Sequence, residues 1–276
     1  MKNSIISTTE LKEIWSNPNL LILDVSPASN KAMLITKFPD LMIKGAQLVS
    51  LKDELSELRS PYPNTFPSVE QFNSFSKSIG LHASSIVIVY DNLGIYTSPR
   101  VWWILKTMGL KEVYVLDGGM SAWVEDKGET ETRAKWPRAN NGTYEGVVDT
   151  SAIKSYEDIV EYIENPSFQI LDARSAGRFQ GESPEPRVHL KSGSIQESHN
   201  IPFKHVLHDG KLKSDQELKN LFKQVQNGQE VVFSCGSGIT ACILHLAASK
   251  IMDNRFSVYD GSWTEWAERQ KLFVNE

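Results

Sequence analysis

Two α/β domains of similar build, each a mainly parallel sheet flanked by helices, are predicted by three features of this sequence. Apolar runs of strand length alternate with helical patterns, the alternation runs through twice in the same order, and a polar, turn-rich stretch separates the two passes. At 276 residues, with 40% hydrophobic and 23% charged content, the chain suits two ordinary globular domains better than one large core.

The first pass opens with an amphipathic helical stretch around Thr9–Trp15 and a strand that ends in an acid, Leu20-Leu21-Ile22-Leu23-Asp24. The second opens with a helical stretch over Ser155–Ile163 and the strand Phe168-Gln169-Ile170-Leu171-Asp172. Next come two strands of buried character, Ile86-Val87-Ile88-Val89-Tyr90 and Glu230-Val231-Val232-Phe233-Ser234, each leading through a short loop into a helical pattern. Last, Val113-Tyr114-Val115-Leu116-Asp117-Gly118-Gly119 with Trp123 corresponds to Phe256-Ser257-Val258-Tyr259-Asp260-Gly261-Ser262 with Trp266. Asp117 and Asp260 are 143 residues apart, as are Trp123 and Trp266, and a constant offset across dissimilar residues marks a duplication. Lys127-Gly128 and Asn140-Asn141-Gly142 are turn formers, so the expected division is a first domain at 1–127, a linker at 128–150 and a second domain at 151–276.

A net charge of −5 offers no electrostatic footprint for nucleic acid or an anionic membrane. No apolar run approaches the roughly 18 residues of a membrane span. Met1-Lys2-Asn3-Ser4 has one basic residue and no apolar run of the kind a signal peptide carries, so a cytoplasmic protein is expected. Only two cysteines occur, Cys235 and Cys242, too few for a disulfide framework, and no paired spacing suits a metal.

Cys235 stands in Ser234-Cys235-Gly236-Ser237-Gly238-Ile239-Thr240-Ala241, between a buried strand and a helix expected over Ala241–Lys250. Two glycines among small residues let the backbone curl, so that several amide hydrogens point to one centre, and the helix N-terminus adds its partial positive charge. A thiol at such a place is expected to ionise readily, and the same cradle suits a persulfide or an oxyanion. The alternative is a buried structural cysteine beside a Gly-rich turn. For Cys242, within the helix among Ile243, Leu244 and Leu246, the structural reading is preferred. The repeat sets Asp91 where Cys235 stands, and a carboxylate cannot form a persulfide, so the first half is expected to be catalytically silent.

Taken together these residues resemble the tandem-domain rhodanese family over nearly the whole chain. The resemblance rests in the first half on Val89-Tyr90-Asp91, on Tyr96-Thr97-Ser98-Pro99-Arg100-Val101-Trp102-Trp103 and on Leu116-Asp117-Gly118-Gly119 with Trp123. In the second half it rests on Leu171-Asp172-Ala173-Arg174, Gly177-Arg178-Phe179 and Glu182-Ser183-Pro184-Glu185-Pro186-Arg187. It implies two rhodanese-like domains, the first inactive and the second catalytic. Members that use thiosulfate typically follow the cysteine with basic residues. Gly236-Ser237-Gly238-Ile239-Thr240 is instead similar to the Gly-Ser-Gly-Val-Thr of the members that use 3-mercaptopyruvate.

The implied activity is transfer of sulfane sulfur from 3-mercaptopyruvate, through a persulfide on Cys235, to a thiol, cyanide or thioredoxin-like acceptor, without a cofactor or a metal. The resemblance further implies that Arg178 and Arg187 hold the donor carboxylate, for which the planar guanidinium fork is suited. Ser237 would bond the donor thiol or relay a proton, and Thr240 would orient the loop. The family's His-Ile-Pro-Gly segment is replaced by Ile43-Lys44-Gly45-Ala46 and Ser194-Ile195-Gln196-Glu197, so a mechanism that needs a first-domain histidine is not expected. His189, His199, His205 and His208 are read as loop or surface residues. Three rivals remain: a thiosulfate sulfurtransferase, a non-catalytic persulfide carrier, and a Cys-dependent phosphatase. The last is disfavoured because Ala241 stands where its phosphate-binding arginine is needed.

Overall fold

The computed structural model describes residues 4–135 and 137–274. Met1 to Asn3, read above for a leader, lie outside the described residues, as does Trp136 within the connecting stretch.

Both halves fold as a five-stranded parallel sheet with the same strand order. In the first the order is Ile5–Ile6, Val113–Leu116, Ile86–Tyr90, Leu20–Asp24, Gln47–Leu48. In the second it is Ile153–Lys154, Phe256–Tyr259, Glu230–Ser234, Phe168–Asp172, His199–Asn200. Registers correspond as well: Leu23 pairs with Val89 and Asp24 with Tyr90, while Leu171 pairs with Phe233 and Asp172 with Ser234. Each central strand is flanked by sheet on both sides and by helices on both faces, which is why its middle residues are apolar rather than alternating, with Glu230 and Ser234 at the two ends of the second.

Helix entry repeats too. Ser7 and Ser155 each cap the first helix of their half with a reciprocal capping box, closed by Glu10 and Asp158 respectively. Ile43-Lys44-Gly45-Ala46 and Ser194-Ile195-Gln196-Glu197 lead into corresponding edge strands, Gln47–Leu48 and His199–Asn200.

The connection between the halves is no loose tether. Thr130–Thr132 pairs antiparallel with Leu41–Ile43, and the Arg133 guanidinium reaches Asp24 at 3.3 Å. Farther on, the amides of Gly142, Thr143, Val147 and Asp149 donate to carbonyls of Lys77, Leu81, Met108 and Thr107. Its polar, turn-rich composition reflects a band laid over the first half, whose backbone groups find partners there.

The two halves meet along the helices that follow the central strands, Ser98–Thr107 and Ile239–Ile251. Both are buried on nearly every side, the second also being apolar nearly all round. Trp102 meets His245 edge to face at 5.2 Å, and His245 stacks on Phe233 at 5.4 Å. The helix expected at Ala241 begins two residues earlier, because Gly238 adopts φ 82 and turns the chain directly into it.

Candidate active site at Cys235

Cys235 follows the carboxyl end of the central strand Glu230–Ser234, where open parallel sheets place their ligand sites. The loop after it is shaped by its carbonyl oxygens, four in a row being held from outside. The Cys235 carbonyl accepts from the Trp263 amide at 2.9 Å. That of Gly236 accepts from the Thr264 amide at 3.1 Å and the Thr264 hydroxyl at 2.6 Å. Ser237 is held through its carbonyl by the side-chain amide of Asn64 at 3.2 Å. The Gly238 carbonyl accepts from Cys242 Sγ at 3.3 Å and Arg100 Nη1 at 3.5 Å.

In a trans peptide the N–H points opposite the preceding C=O, and the described chain contains no cis peptide. Four outward carbonyls therefore turn the amides of Gly236, Ser237, Gly238 and Ile239 to the inside of the loop. Among the described residues none of these four amides has a protein acceptor. The convergent donors expected from the glycines are present, and Ile239 begins a 13-residue helix whose N-terminus points the same way.

The two glycines are constrained differently, Gly238 by its backbone and Gly236 only by a mobile arginine tip. A Cβ on Gly236 would lie 2.8 Å from Arg178 Nη2, and Gly238 needs its left-handed φ. Thr240, on the first turn of the helix, is partly exposed. Cys235 is 2% exposed and Cys242 fully enclosed. Burial pushes the Cys242 thiol up to about 12, so it stays protonated and donates to Gly238. Arg187 of the second half and Tyr96 of the first lie near Cys235. Both feel the charge of Cys235, which raises the Tyr96 phenol after burial has done so and offsets the lowering of Arg187 by burial.

The two arginines differ in what they have left to offer. Arg178 is engaged with Glu185, its Nη2 at 2.6 Å and Nε at 3.1 Å. Glu185 also takes Arg174 Nη1 at 2.9 Å, and Arg174, fully buried over the Trp263 ring, is clamped on Asp172. Arg187 is half-buried and its guanidinium makes no ion pair or hydrogen bond among the described residues, so its whole fork is free. Burial lowers its pKa, and the charge of nearby Glu185 offsets this only in part. His189, His199, His205 and His208 are all exposed, and among the described residues no group of His, Cys, Asp and Glu could hold a metal ion.

The first half holds the counterpart. Asp91 follows the strand Ile86–Tyr90, 144 residues before Cys235, and is wholly buried. Its Oδ2 accepts from the amides of Tyr96, Thr97 and Ser98 at 2.9 Å each and from the Ser98 hydroxyl at 2.7 Å, while Oδ1 takes the Leu93 amide. Burial pushes this carboxyl up and the surrounding donors pull it back. No thiol stands there, as the repeat indicates.

Asn64 and Arg100, both from the first half, touch the loop in ways that the local sequence around Cys235 does not reveal. Arg100 lies in the Pro99-Arg100-Val101-Trp102-Trp103 segment, and its partner Asp260 is one of the two acids spaced by 143 residues. Asn64 sits in a turn with no periodic pattern.

Comparison with known proteins agrees with this build. The model of the rhodanese-like domain matches twice, over residues 7–126 and 155–269. A mouse 3-mercaptopyruvate sulfurtransferase is 38% identical over 84% of this chain and 79% of its own length. A thiosulfate sulfurtransferase of Cricetulus griseus is 35% identical over 90% and 85% respectively. The crystal structure of SseA, a 3-mercaptopyruvate sulfurtransferase of Escherichia coli, superposes with a TM-score of 0.80 at 29% identity, covering 95% of this chain and 99% of that one. With both halves matched and each loop in its corresponding place, the chain belongs to the rhodanese family and is a tandem-domain sulfurtransferase.

Proposed function

We propose that the protein takes sulfur from 3-mercaptopyruvate onto Cys235 as a persulfide and passes it to a thiol, cyanide or thioredoxin-like acceptor in the cytoplasm. Residues 1–127 form the half without a cysteine, 128–150 the connection and 151–276 the half that carries sulfur. The observation that carries this reading is the ring of inward amides of Gly236, Ser237, Gly238 and Ile239, unpartnered among the described residues, beside a thiol and a free arginine.

The Cys235 thiolate attacks the donor sulfur, forming an S–S bond as the carbon–sulfur bond breaks. The electron pair of that bond moves into the enolate of pyruvate, which takes up the proton released by the donor thiol and leaves as pyruvate. Arg187, assisted by the free edge of Arg178, binds the carboxylate. Ser237 Oγ accepts a hydrogen bond from Asn64 at 3.1 Å, leaving its own hydrogen for the donor thiol or the enolate. The loop amides hold the charge on the outer sulfur until an acceptor thiolate or cyanide attacks it and frees the Cys235 thiolate. The site chemistry needs no cofactor.

A loop without basic side chains favours the mercaptopyruvate donor. Similarity to thiosulfate sulfurtransferases, 35% in the instance above, keeps thiosulfate as the second reading. Pyruvate release from mercaptopyruvate, measured against sulfite release from thiosulfate at matched concentrations, separates the two. Intact-protein mass spectrometry should show one added sulfur atom after incubation with donor, absent in Cys235→Ser. An adduct that persists in that variant removes Cys235 from the mechanism. Stable loading without any turnover marks a carrier instead.

A further inference from the structure

The segment Ser60-Pro61-Tyr62-Pro63-Asn64-Thr65-Phe66-Pro67 of the first half lies across the catalytic loop of the second. Three prolines stiffen it, and the Glu57 amide closes it by donating to the Thr65 carbonyl at 3.0 Å. Asn64 takes φ 60, a left-handed conformation that asparagine tolerates better than most residues. Its backbone carbonyl accepts from Arg100 Nη2 at 2.5 Å, and two residues on the Phe66 amide donates to Asp260 Oδ2 at 2.7 Å. The backbone of Asn64 is thus fixed from both sides, and its side chain can do only what this placement allows. Its amide nitrogen donates to the Ser237 carbonyl at 3.2 Å and to Ser237 Oγ at 3.1 Å.

We infer that Asn64 is a positioning residue for sulfur transfer, acting through Ser237 at two points with one NH₂ group. Holding the Ser237 carbonyl outward turns the Gly238 amide into the loop. Occupying an Oγ lone pair directs the hydroxyl hydrogen away from the first half. Of the four carbonyl anchors, those of Cys235 and Gly236 come from the second half itself. The anchor of Ser237 comes from the half without a thiol, and that of Gly238 is shared between Cys242 and Arg100. The cysteine-free half is therefore part of the machinery that arranges the loop. This inference rests on the sulfurtransferase reading.

Two variants test it. Asn64→Gly keeps the left-handed backbone and deletes the side chain. Asn64→Asp keeps the shape and replaces the donor by an acceptor facing two oxygens. Single-turnover sulfur loading of Cys235 should slow by about 10- to 100-fold in Asn64→Gly, below the roughly 100- to 1,000-fold of a lost oxyanion-hole donor because Asn64 acts through Ser237, with KM for the donor little changed. In Asn64→Asp the loading rate, divided by that of the wild type at each pH, should rise as pH falls through the carboxyl range, because a protonated carboxyl donates again. A side chain that only glued the halves together would give a flat ratio. Wild-type loading by the Gly variant, or a flat ratio in the Asp variant, overturns the inference; if Asn64→Gly fails to fold, the Asp variant decides alone. Failure of the wild type itself to load sulfur would instead bring down the underlying sulfurtransferase reading.

Discussion

Arg100 of the first half reaches Asp260 of the second at 2.6 Å, with 0% and 14% of their side chains exposed. Burial pulls the arginine down, but the Asp260 carboxylate counters it and its pKa is left raised. The pair carries its charge away from water and lies against the Cys235 loop, where Arg100 also reaches the Gly238 carbonyl.

Removing one partner strands the other. Asp260→Asn should destabilise the protein by about 3–5 kcal/mol, the range for a buried pair deprived of one member. Urea unfolding measures it. The double variant Arg100→Met with Asp260→Leu should recover much of that stability, since apolar replacement of a buried pair is often close to neutral. Turnover should stay low in the double variant, because Gly238 and Asn64 lose the guanidinium that holds their carbonyls. Full activity there would show that the pair serves stability alone.

Arg187 and Arg178 should separate in kinetics. Arg187→Ala should raise KM for mercaptopyruvate roughly 10- to 100-fold, the equivalent of a charge-assisted bond of about 1.5–3 kcal/mol, while leaving persulfide discharge to cyanide unchanged. Arg178→Ala should raise KM less and lower the unfolding midpoint, because Glu185 loses one of its two arginines. Steady-state kinetics beside thermal melts would show it. An Arg187→Ala enzyme with wild-type KM would exclude the carboxylate role.

His245 gives the protein a pH limit. Desolvation alone drops its pKa from 6.5 to about 3, among the rings of Trp102, Phe233 and Phe256. Above pH 6.5 the imidazole is neutral in both folded and unfolded chains. Between pH 6.5 and about 3 only the unfolded chain takes the proton, so stability falls as pH falls; below about 3 the loss levels off. At about 1.4 kcal/mol per unit the total loss is several kcal/mol. His245→Leu should flatten this part of the stability–pH curve, and superimposable curves for the two proteins would show that the ring does not set it.

The repeat made two parallel sheets readable in advance, though not their strand order, since strand, loop and helix follow one another twice and the middle of each central strand is apolar. Cys235 was legible for a local reason: glycines beside a small-residue turn before a helix can serve only a few purposes. The occupancy of Arg178 was not. Glu185 stands seven residues away, and only the fold shows that it bridges Arg178 and Arg174. Asn64 was invisible, because its partner lies 173 residues on and contacts between domains leave no period in sequence. The connecting stretch reads as polar turn chemistry, and its attachment to the first half depends on backbone groups that composition does not encode.

The self-occupied turn at Asp91 also fixes a number. Four main-chain hydrogens and one hydroxyl there are already committed to an oxygen pair from the same chain, and nothing else can enter without evicting it. Of two turns inherited from a common ancestor, one is closed to solutes for good. Small anions that compete with the sulfur donor should consequently saturate at a single equivalent per polypeptide, despite the visible twofold history of the fold.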